Sequence, residues 1–418
     1  MSNLSKPREA ALKALVSWEK DGAYLNIALR SILAEAGMDA RDNALATTIA
    51  FGVMKNSLYL DNIIKNLSSV KLKKLSVWIH NILRIGVFCL RFLDRIPVSA
   101  TVNECVRLAR RYGHKASAGY VNAVLRASAS SGDFLPEDKE SGEYISIRYS
   151  FPLWLVKMWQ KEGYGEDFFA AMDTEPPVTI RLNTLKAGSL PEEFQKIDFL
   201  PHGYNYVGGG SVENHPLFAD GNITVQDGAS QKAISSFHIE EDMKILDLCS
   251  APGGKTAYMA QLMNNTGEII SCDIHEHKLS LIENNLKRLG VTNTKVLLND
   301  ATVFCKDFED KFDRVLADVP CSGLGVLRRK PDIKWVKTEA GTRELAEIQQ
   351  KIFENAALYV KKGGMLMYST CTVNRIENED RVKEFLSLHP EFTLLEERQL
   401  LPDKDNTDGF FYAVIERK

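Results

Sequence analysis

Apolar side chains recur every three or four residues through residues 1–130, the spacing that places them on one face of an α-helix. Leu25 and Leu29 show this interval, as do Ile79 and Leu83. The pattern therefore predicts an all-α bundle over this part of the chain.

The pattern changes after the bundle. Residues 131–143 are rich in Ser, Gly, Pro and charged residues, which predicts a linker. Residues 144–225 mix both periodicities and suit a small α+β subdomain. Its predicted elements are a helix near 153–171, a strand over 178–184 and a short helix near 189–195. On that strand Arg181 and Asn183 alternate with apolar neighbours, as expected for a half-exposed strand.

Residues 226–418 alternate between short apolar runs and helical periodicity, which is typical of a mostly parallel sheet covered by helices on both faces. The predicted strands are 244–248, 268–273, 295–298, 313–318 and 365–369. Gly290 is expected to end one helix, and Gly363 with Gly364 a longer one. The sequence thus predicts a doubly wound, Rossmann-like α/β core.

Charge is divided unevenly along the 418 residues. Residues 1–130 carry 19 Lys and Arg against 9 Asp and Glu, whereas the whole chain has a net charge of −3. A basic module on an acidic body indicates binding of a polyanion, although solvated surface charge is the alternative. No run of residues is apolar enough for a membrane span or a signal peptide, so we expect a cytoplasmic protein.

Two basic clusters are candidate RNA-binding residues. Arg107, Arg110 and Arg111 recur at helical spacing in the basic module. A second cluster surrounds an aromatic residue and consists of Arg328, Arg329, Lys330, Lys334 and Trp335. Basic side chains beside an aromatic ring can hold an RNA backbone and a splayed base, and a solvated loop is the alternative.

The seven cysteines form no C-x-x-C pair, which argues against a zinc site or a disulfide framework. His275 and His277 form an isolated pair in a charged segment and are expected at the surface. We therefore expect reduced thiols and no metal site.

Ligands of doubly wound sheets bind beyond the carboxyl ends of the strands, so the residues there are the candidate site. The first strand is followed by a loop of small residues, Cys249, Ser250, Ala251, Pro252, Gly253, Gly254 and Lys255. Asp273 ends the next strand, where an acid would receive ribose hydroxyls. Asp300 and Asp318 follow later strands, and Asp300 could equally cap its own turn.

The loop also nearly fits the phosphate-binding pattern G-x-x-x-x-G-K-[ST], but Cys249 replaces the first glycine and Pro252 lacks an N–H group. An ATPase would have no need of Asp273 at the ribose position. The combination favours an adenosyl cofactor without phosphates, with a purely structural turn as the remaining alternative.

Two cysteines lie directly beyond predicted strand ends rather than inside strands. Cys321 follows Asp318 by three residues, and Cys371 lies between Thr370 and Thr372. Such positions suit a reactive thiol better than a buried apolar one. A thiolate can activate a pyrimidine by adding to carbon 6, which makes carbon 5 nucleophilic.

The motifs LDLCSAPGGKT, DVPCSG and MYSTCT, in this order, closely resemble the Sun family of RNA (cytosine-5)-methyltransferases. Residues 1–130 resemble a NusB-type RNA-binding domain, a fusion similar to family members that act on small-subunit (16S) ribosomal RNA. The resemblance implies that residues 249–255, Asp273, Asp300 and Asp318 bind S-adenosylmethionine. It also implies that Cys371 is the nucleophile and that Cys321 assists product release.

Further expectations are a catalytic contribution from Asp318, which could hydrogen-bond the N3 edge of the base, and a monomeric enzyme. Ser250 departs from the alanine frequent in the family, a change too small to disturb the loop. Two other functions stay open at this stage. They are a catalytically silent RNA-binding protein and a nucleoside triphosphatase built on the GGKT segment.

Overall fold

The computed structural model describes residues 6–418, and the chain divides into two compact units. The first unit runs to Ala170 and also includes Lys334–Val336. The second comprises Ala171–Ile333 and Lys337–Lys418. Within residues 6–418, no helix combines the length and the apolar character that crossing a bilayer requires.

The first unit is helical. Its helices are α1 (Lys6–Asp21), α2 (Leu25–Ala36), α3 (Ala40–Lys55), α4 (Ser57–Leu67), α5 (Val77–Phe92), α6 (Val98–Tyr112), α7 (Ser117–Ser130), α8 (Gly142–Arg148) and α9 (Leu153–Lys161), and α10 (Glu166–Asp173) begins in it. Their apolar faces meet in one core that includes Leu15, Ile49, Leu83 and Leu125. The predicted all-α bundle is confirmed.

The segment predicted as a linker is bound to α4. The Asn62 side-chain amide donates hydrogen bonds to the carbonyls of Asp133 and Phe134, and the Tyr59 hydroxyl donates to the Asp133 carboxylate over 2.7 Å. The Tyr59 backbone N–H donates to the hydroxyl of Ser150 at 3.0 Å. These polar contacts hold a segment that has little apolar surface to bury, so residues 131–143 are part of the first unit.

A four-stranded antiparallel sheet opens the second unit. Its strands are β1 (Thr179–Leu182), β2 (Phe194–Lys196), β3 (Gly203–Tyr206) and β4 (Ile223–Val225), in the order β2-β3-β1-β4. The helix predicted near 189–195 is wrong, because Phe194 pairs with Tyr206 in β2 and β3 and their rings lie 5.2 Å apart. Arg181 is fully buried rather than half-exposed, since its guanidinium is bound by Gln226 and lies 4.5 Å from the ring of Tyr258.

The second sheet has seven strands in the order β10-β11-β9-β8-β5-β6-β7. They are β5 (Lys244–Asp247), β6 (Glu268–Asp273), β7 (Thr294–Leu298), β8 (Phe312–Asp318), β9 (Val360–Thr370), β10 (Phe392–Leu400) and β11 (Phe410–Arg417). Strands β5–β9 are parallel, and β10 and β11 are antiparallel to their neighbours. The helices of the second unit are α11 (Pro216–Ala219), α12 (Gly228–Ser235), α13 (Gly254–Leu262), α14 (Glu276–Leu289), α16 (Glu339–Tyr359), α17 (Glu379–Leu388) and α18 (Pro402–Asp405). Helix α15 (Ile333–Val336) begins in this unit, but its residues Lys334–Val336 belong to the first.

Alternate side chains of the parallel strands enter opposite cores. Leu366 packs in the core that contains Phe353 of α16, whereas Met367 packs in the core that contains Met259 of α13. Helices therefore cover both faces, and the predicted doubly wound architecture is confirmed. Gly290 ends α14 with a positive φ of 73°, as predicted. Gly363 and Gly364 lie inside β9 instead of ending α16, because that helix leads directly into the strand.

Candidate active site

The parallel strands β5–β9 all end at one edge of the large sheet, and polar side chains follow them there. Asp247, Asp273 and Asp318 are the last residues of β5, β6 and β8. Asp300 comes two residues after β7, and Cys371 directly after β9. The structure thus brings the predicted acids and Cys371 to the edge where such sheets bind ligands.

The glycine-rich loop after β5 is held by its neighbours. Ser250 donates hydrogen bonds from its backbone N–H and its hydroxyl to the carbonyl of Cys272, at 2.8 and 2.9 Å. The Asn285 side chain donates to the carbonyl of Pro252 over 3.1 Å. Gly253 adopts a positive φ of 93°, which a side chain would strain. The loop therefore presents a preorganised surface of small residues.

A cavity of about 270 Å³ lies between this loop and the next three strand ends. It is lined by the carboxylates of Asp273, Asp300 and Asp318 and by the apolar side chains of Ala251 and Ile274. Carboxylates accept hydrogen bonds from hydroxyl and amino groups, and the apolar wall suits a flat ring. These acceptors fit the hydroxyl and amino groups of a nucleoside, and their negative charge disfavours a phosphate group.

Two of these carboxylates are oriented by their own loops. Asp273 is 6% exposed and accepts a hydrogen bond from the backbone N–H of His275 at 2.9 Å. Asp300 accepts hydrogen bonds from the backbone N–H and the hydroxyl of Thr302, at 2.9 and 2.7 Å. Asp300 therefore both caps its turn and lines the cavity, so the two interpretations of this residue are compatible.

A second cavity, of about 210 Å³, lies on the other side of the loop and contains an ion pair. The Lys255 ammonium is 2.7 Å from one oxygen of Asp318, and the Ser369 hydroxyl donates to the other at 2.8 Å. Burial lowers the pKa of Lys255, but the charge and the hydrogen bond of Asp318, together with the charges of Cys371 and Asp247, raise the pKa overall. Because Asp318 already neutralises Lys255, the geometry disfavours a phosphate-binding loop.

Asp247 also lines this second cavity and is fully buried. The hydroxyl of Thr256 donates to one of its oxygens at 2.6 Å. Burial raises the pKa of Asp247 to about 7, despite that hydrogen bond. The site therefore contains a carboxyl group that titrates near neutral pH, which the sequence interpretation did not single out.

The sulfur atoms of Cys321 and Cys371 lie 3.3 Å apart, although 49 residues separate them in the chain. The hydrogen bond from the Cys321 thiol lowers the pKa of Cys371, as do the charges of Lys255 and Lys330; burial and Asp318 oppose this change. The same hydrogen bond, followed by burial, raises the pKa of Cys321. The pair therefore favours a thiolate at Cys371 and a thiol at Cys321.

The other cysteines do not share this environment. Burial raises the pKa of Cys89, Cys105 and Cys249, which makes these thiols poor nucleophiles. The rings of His275 and His277 lie 5.4 Å apart in an exposed segment. In the part of the chain that the structure describes, no three His, Cys, Asp or Glu side chains are grouped as metal ligands.

Glu377 is a buried residue of this region that the sequence interpretation missed. Its carboxylate accepts hydrogen bonds from Ser322, Asn374 and Gln349. Ser322 and Gln349 lie 55 and 28 residues away in the chain, so local spacing offers no signal for them, whereas Asn374 is three residues away. Glu377 lies between Asn374 and Asn378 in the segment NRIEN, and these closely spaced polar residues are the one feature of the sequence that could have indicated a polar network.

In the first unit, α6 carries the predicted RNA-binding arginines. Arg107 is 2.8 Å from Glu104, and Arg111 is 3.2 Å from Glu9. The side chains of both are substantially exposed, and Arg110 is exposed as well. Such exposed pairs are weak, so the three guanidinium groups remain available to a polyanion.

The second basic cluster is placed differently from its prediction. Arg328 is buried against Asp408, at 3.1 Å, with 3% of each side chain exposed. Arg329 pairs with Asp408 at 2.5 Å and with Asp227 at 3.1 Å. Lys330 is exposed. The Lys330 side chain is therefore accessible to a ligand, whereas that of Arg328 is not, because it is buried in an ion pair with Asp408.

Lys334 and Trp335 belong to the first unit. The Trp335 indole N–H donates to the carbonyl of Met54 at 3.1 Å, and the Lys334 ammonium donates to that of Lys55 at 2.9 Å. The Trp335 ring also packs against the helical core. The expected stacking of a base on Trp335 is therefore not supported, because its polar and apolar surfaces are both used within the unit.

Comparison with known proteins assigns the family. The family model described as 16S rRNA methyltransferase RsmB/F matches residues 235–416, and the NusB family model matches residues 5–130. The probable ribosomal RNA small subunit methyltransferase B of Bacillus subtilis is 34% identical over 98% of this chain and 98% of its own length. The chain belongs to this RsmB family of methyltransferases.

A second relative in the family, the ribosomal RNA small subunit methyltransferase B of Vibrio cholerae, is 33% identical over 98% of this chain and 97% of its own. The protein in the crystal structure of PH0851 is 28% identical in sequence, and the two structures superpose with a TM-score of 0.79 over 100% of each chain.

Members of the family use S-adenosylmethionine, so the chain is an S-adenosylmethionine-dependent methyltransferase. The carboxylate-lined cavity fits the nucleoside part of that cofactor.

Replacing Asp273 with alanine is expected to weaken S-adenosylmethionine binding by about 1–3 kcal/mol, because it leaves polar groups of the ligand unpaired. Isothermal titration calorimetry on the full chain measures this loss. Asp313→Ala is the matched control, since Asp313 binds the N–H of Lys244 at the opposite end of the sheet. Equal affinities of the two variants would contradict the placement of the ribose at Asp273.

Proposed function

We propose that this enzyme methylates carbon 5 of a cytosine in small-subunit ribosomal RNA through a covalent bond between Cys371 and the base. The main support for this proposal is the 3.3 Å contact between the sulfur atoms of Cys321 and Cys371, which lies beside the Lys255–Asp318 ion pair. A lone structural cysteine would need neither a thiol donor nor nearby cations that favour its thiolate.

For the cofactor, we propose that the loop of residues 249–255 and the three cavity carboxylates hold S-adenosylmethionine. Asp273 would accept hydrogen bonds from the ribose hydroxyls and Asp300 from the adenine amino group. Asp318 would line both this cavity and the one beside Lys255. The bound cofactor supplies the methyl group.

For the base, the Cys371 thiolate would form a bond from sulfur to carbon 6, which makes carbon 5 nucleophilic enough to accept a methyl group. Asp318 would accept a hydrogen bond at the N3 edge, where a proton taken up by N3 balances the charge that the thiolate brings to the ring, and so favour this addition. Release requires that the proton on carbon 5 leave and that the bond between carbon 6 and sulfur break. Cys321 would assist this step because its sulfur lies beside that of Cys371.

The substrate assignment follows from the curated relatives, whose names specify ribosomal RNA of the small subunit. We propose phosphate contacts by Arg107, Arg110, Arg111 and Lys330. Arg329 contributes less, because it is already paired with Asp227 and Asp408.

Since the proposed catalytic residues all come from one chain, we propose an active monomer. A reactive thiolate also needs a reducing compartment, which supports the cytoplasm.

Release of tritium tests the position of methylation. Small-subunit ribosomal RNA carrying [5-³H]cytosine should lose tritium to water when enzyme and S-adenosylmethionine are added, because the carbon 5 hydrogen is replaced. Cys371→Ala should release none, whereas Cys305→Ala should release it normally. Methyl incorporation into the RNA without tritium release would place the methyl group elsewhere and refute the proposal.

Charge reversal on α6 tests the RNA contacts of the first unit. Arg110→Glu with Arg111→Glu should raise the RNA dissociation constant and flatten its logarithmic salt dependence by about 0.7 to 0.9 per lost contact. Fluorescence anisotropy over a range of salt concentrations gives both quantities. Reversal of the exposed Arg30 and Arg41 is the control. Equal salt slopes in the two double variants would exclude phosphate binding by α6.

A further inference from the structure

Glu377 lies in the turn after β9 and is fully buried. Its carboxylate accepts hydrogen bonds from the Ser322 backbone N–H at 2.8 Å and from the Ser322 hydroxyl at 2.5 Å. The side-chain amides of Asn374 and Gln349 donate to it at 2.8 and 2.9 Å. All of these groups donate, an arrangement that the ionised carboxylate satisfies best.

The same hydrogen bonds join the two cysteine loops. Ser322, which follows Cys321, shares a hydrogen bond of 2.7 Å with the hydroxyl of Thr372, which follows Cys371. Gln349 of α16 also donates to the carbonyl of the residue before Cys321, at 3.0 Å. The carboxylate is therefore at the centre of a buried network that includes the immediate neighbours of both sulfur atoms.

The charged and titratable groups around the pair act unequally on the two sulfurs. They are Glu377 and Tyr368 at Cys321, and Asp318, Lys255 and Lys330 at Cys371. The negative charge of Glu377 opposes a thiolate at Cys321, whereas the two lysines favour one at Cys371. The hydrogen bond from the Cys321 thiol is the largest cause of the lowered pKa of Cys371.

We propose that Glu377 is a positioning residue that keeps Cys321 in its thiol form and thereby selects Cys371 as the nucleophile of the resting enzyme. The inference rests on the proposed roles of the two cysteines and adds the group that distinguishes them. Glu377 acts in two ways. Its hydrogen bonds set the distance between the sulfurs, and its charge makes Cys321 the donor in the hydrogen bond between them.

Competitive alkylation of the full-length enzyme measures this selection without RNA or cofactor. A substoichiometric amount of iodoacetamide should label Cys371 in preference to Cys321, as read by peptide mass spectrometry over a range of pH values. In Glu377→Gln the ratio of Cys371 to Cys321 labelling should fall by about tenfold, the change that one pKa unit produces in a thiolate fraction. The pH profiles of the two thiols should also converge.

Glu379→Gln is the matched control, since it makes the same chemical change two residues away at the start of α17. It should keep the wild-type ratio. A melting temperature and the S-adenosylmethionine affinity show whether Glu377→Gln is folded. If it is not, Ser322→Ala replaces it and should slow Cys371 alkylation by loosening the same network. An unchanged ratio in a folded Glu377→Gln protein, or an unchanged Cys371 rate in Ser322→Ala, overturns the proposal.

The outcome is separable from that of the proposed function. If Cys321→Ala traps no covalent complex with RNA but Glu377→Gln still changes the alkylation ratio, the cysteine mechanism fails and the role of Glu377 in setting thiol ionisation stands. If the complex forms and the ratio does not change, the mechanism stands and the role of Glu377 is refuted.

Discussion

Replacing Cys321 with alanine is expected to leave the enzyme covalently joined to methylated RNA, whereas replacing Cys371 with alanine should abolish methyl transfer. Cys371 provides the only route to an activated ring in the proposed mechanism. Its loss should cost a factor on the order of 10⁴ or more in rate, as removal of a nucleophile does in other enzymes. Cys321 acts after the methyl group has been transferred, so its loss blocks release.

Denaturing gel electrophoresis of each variant, incubated with RNA and S-adenosylmethionine, separates these outcomes. A retarded band that contains both protein and RNA should appear with Cys321→Ala and not with Cys371→Ala. Cys305→Ala, at a thiol outside the pair, should behave as wild type. A trapped complex with Cys371→Ala instead would reverse the two roles, and none with either variant would refute covalent catalysis.

The second large effect concerns stability. Asp408→Ala should destabilise the second unit by about 3–5 kcal/mol, because it leaves the buried guanidinium of Arg328 without its carboxylate. The pKa of Asp408 is raised overall, because burial and the nearby charge of Asp227 together outweigh the lowering by Arg329 and Arg328. Differential scanning calorimetry of the full chain should show a transition lowered by on the order of 10 °C.

Two variants sharpen this test. Asp403→Ala removes an exposed carboxylate five residues away and should leave the transition where it is. Arg328→Met combined with Asp408→Ala should recover part of the loss, since the buried guanidinium is gone and Arg329 keeps its ion pair with Asp227. If Asp408→Ala melted normally and Arg328→Met weakened RNA binding, the original prediction of an RNA contact at Arg328 would be correct.

Much of the architecture was predictable from local patterns. Apolar residues recur at helical spacing through the first 130 residues and form short runs at β5–β9. Both patterns are visible in the local sequence, so the helical bundle and the parallel sheet were both predicted. The candidate site followed from a rule of topology, because the residues after parallel strands must meet at one edge. The apolar run Phe410–Ile415 could also have predicted β11, whereas the edge strand β10 has few buried positions and gave no such signal.

The roles of individual charged residues were decided by the tertiary structure. Arg328 and Lys330 are two residues apart and equally basic, yet one is buried against Asp408 and the other is exposed. Likewise, Glu377 gains its position from Ser322 and Gln349, which belong to other elements. The sequence by itself determined the elements of the helical bundle and of the parallel strands β5–β9, together with the chemistry at the strand ends, because these depend on neighbours along the chain. Which charges are paired, and which sulfur carries the proton, depend on partners many residues away that only the folded chain brings together.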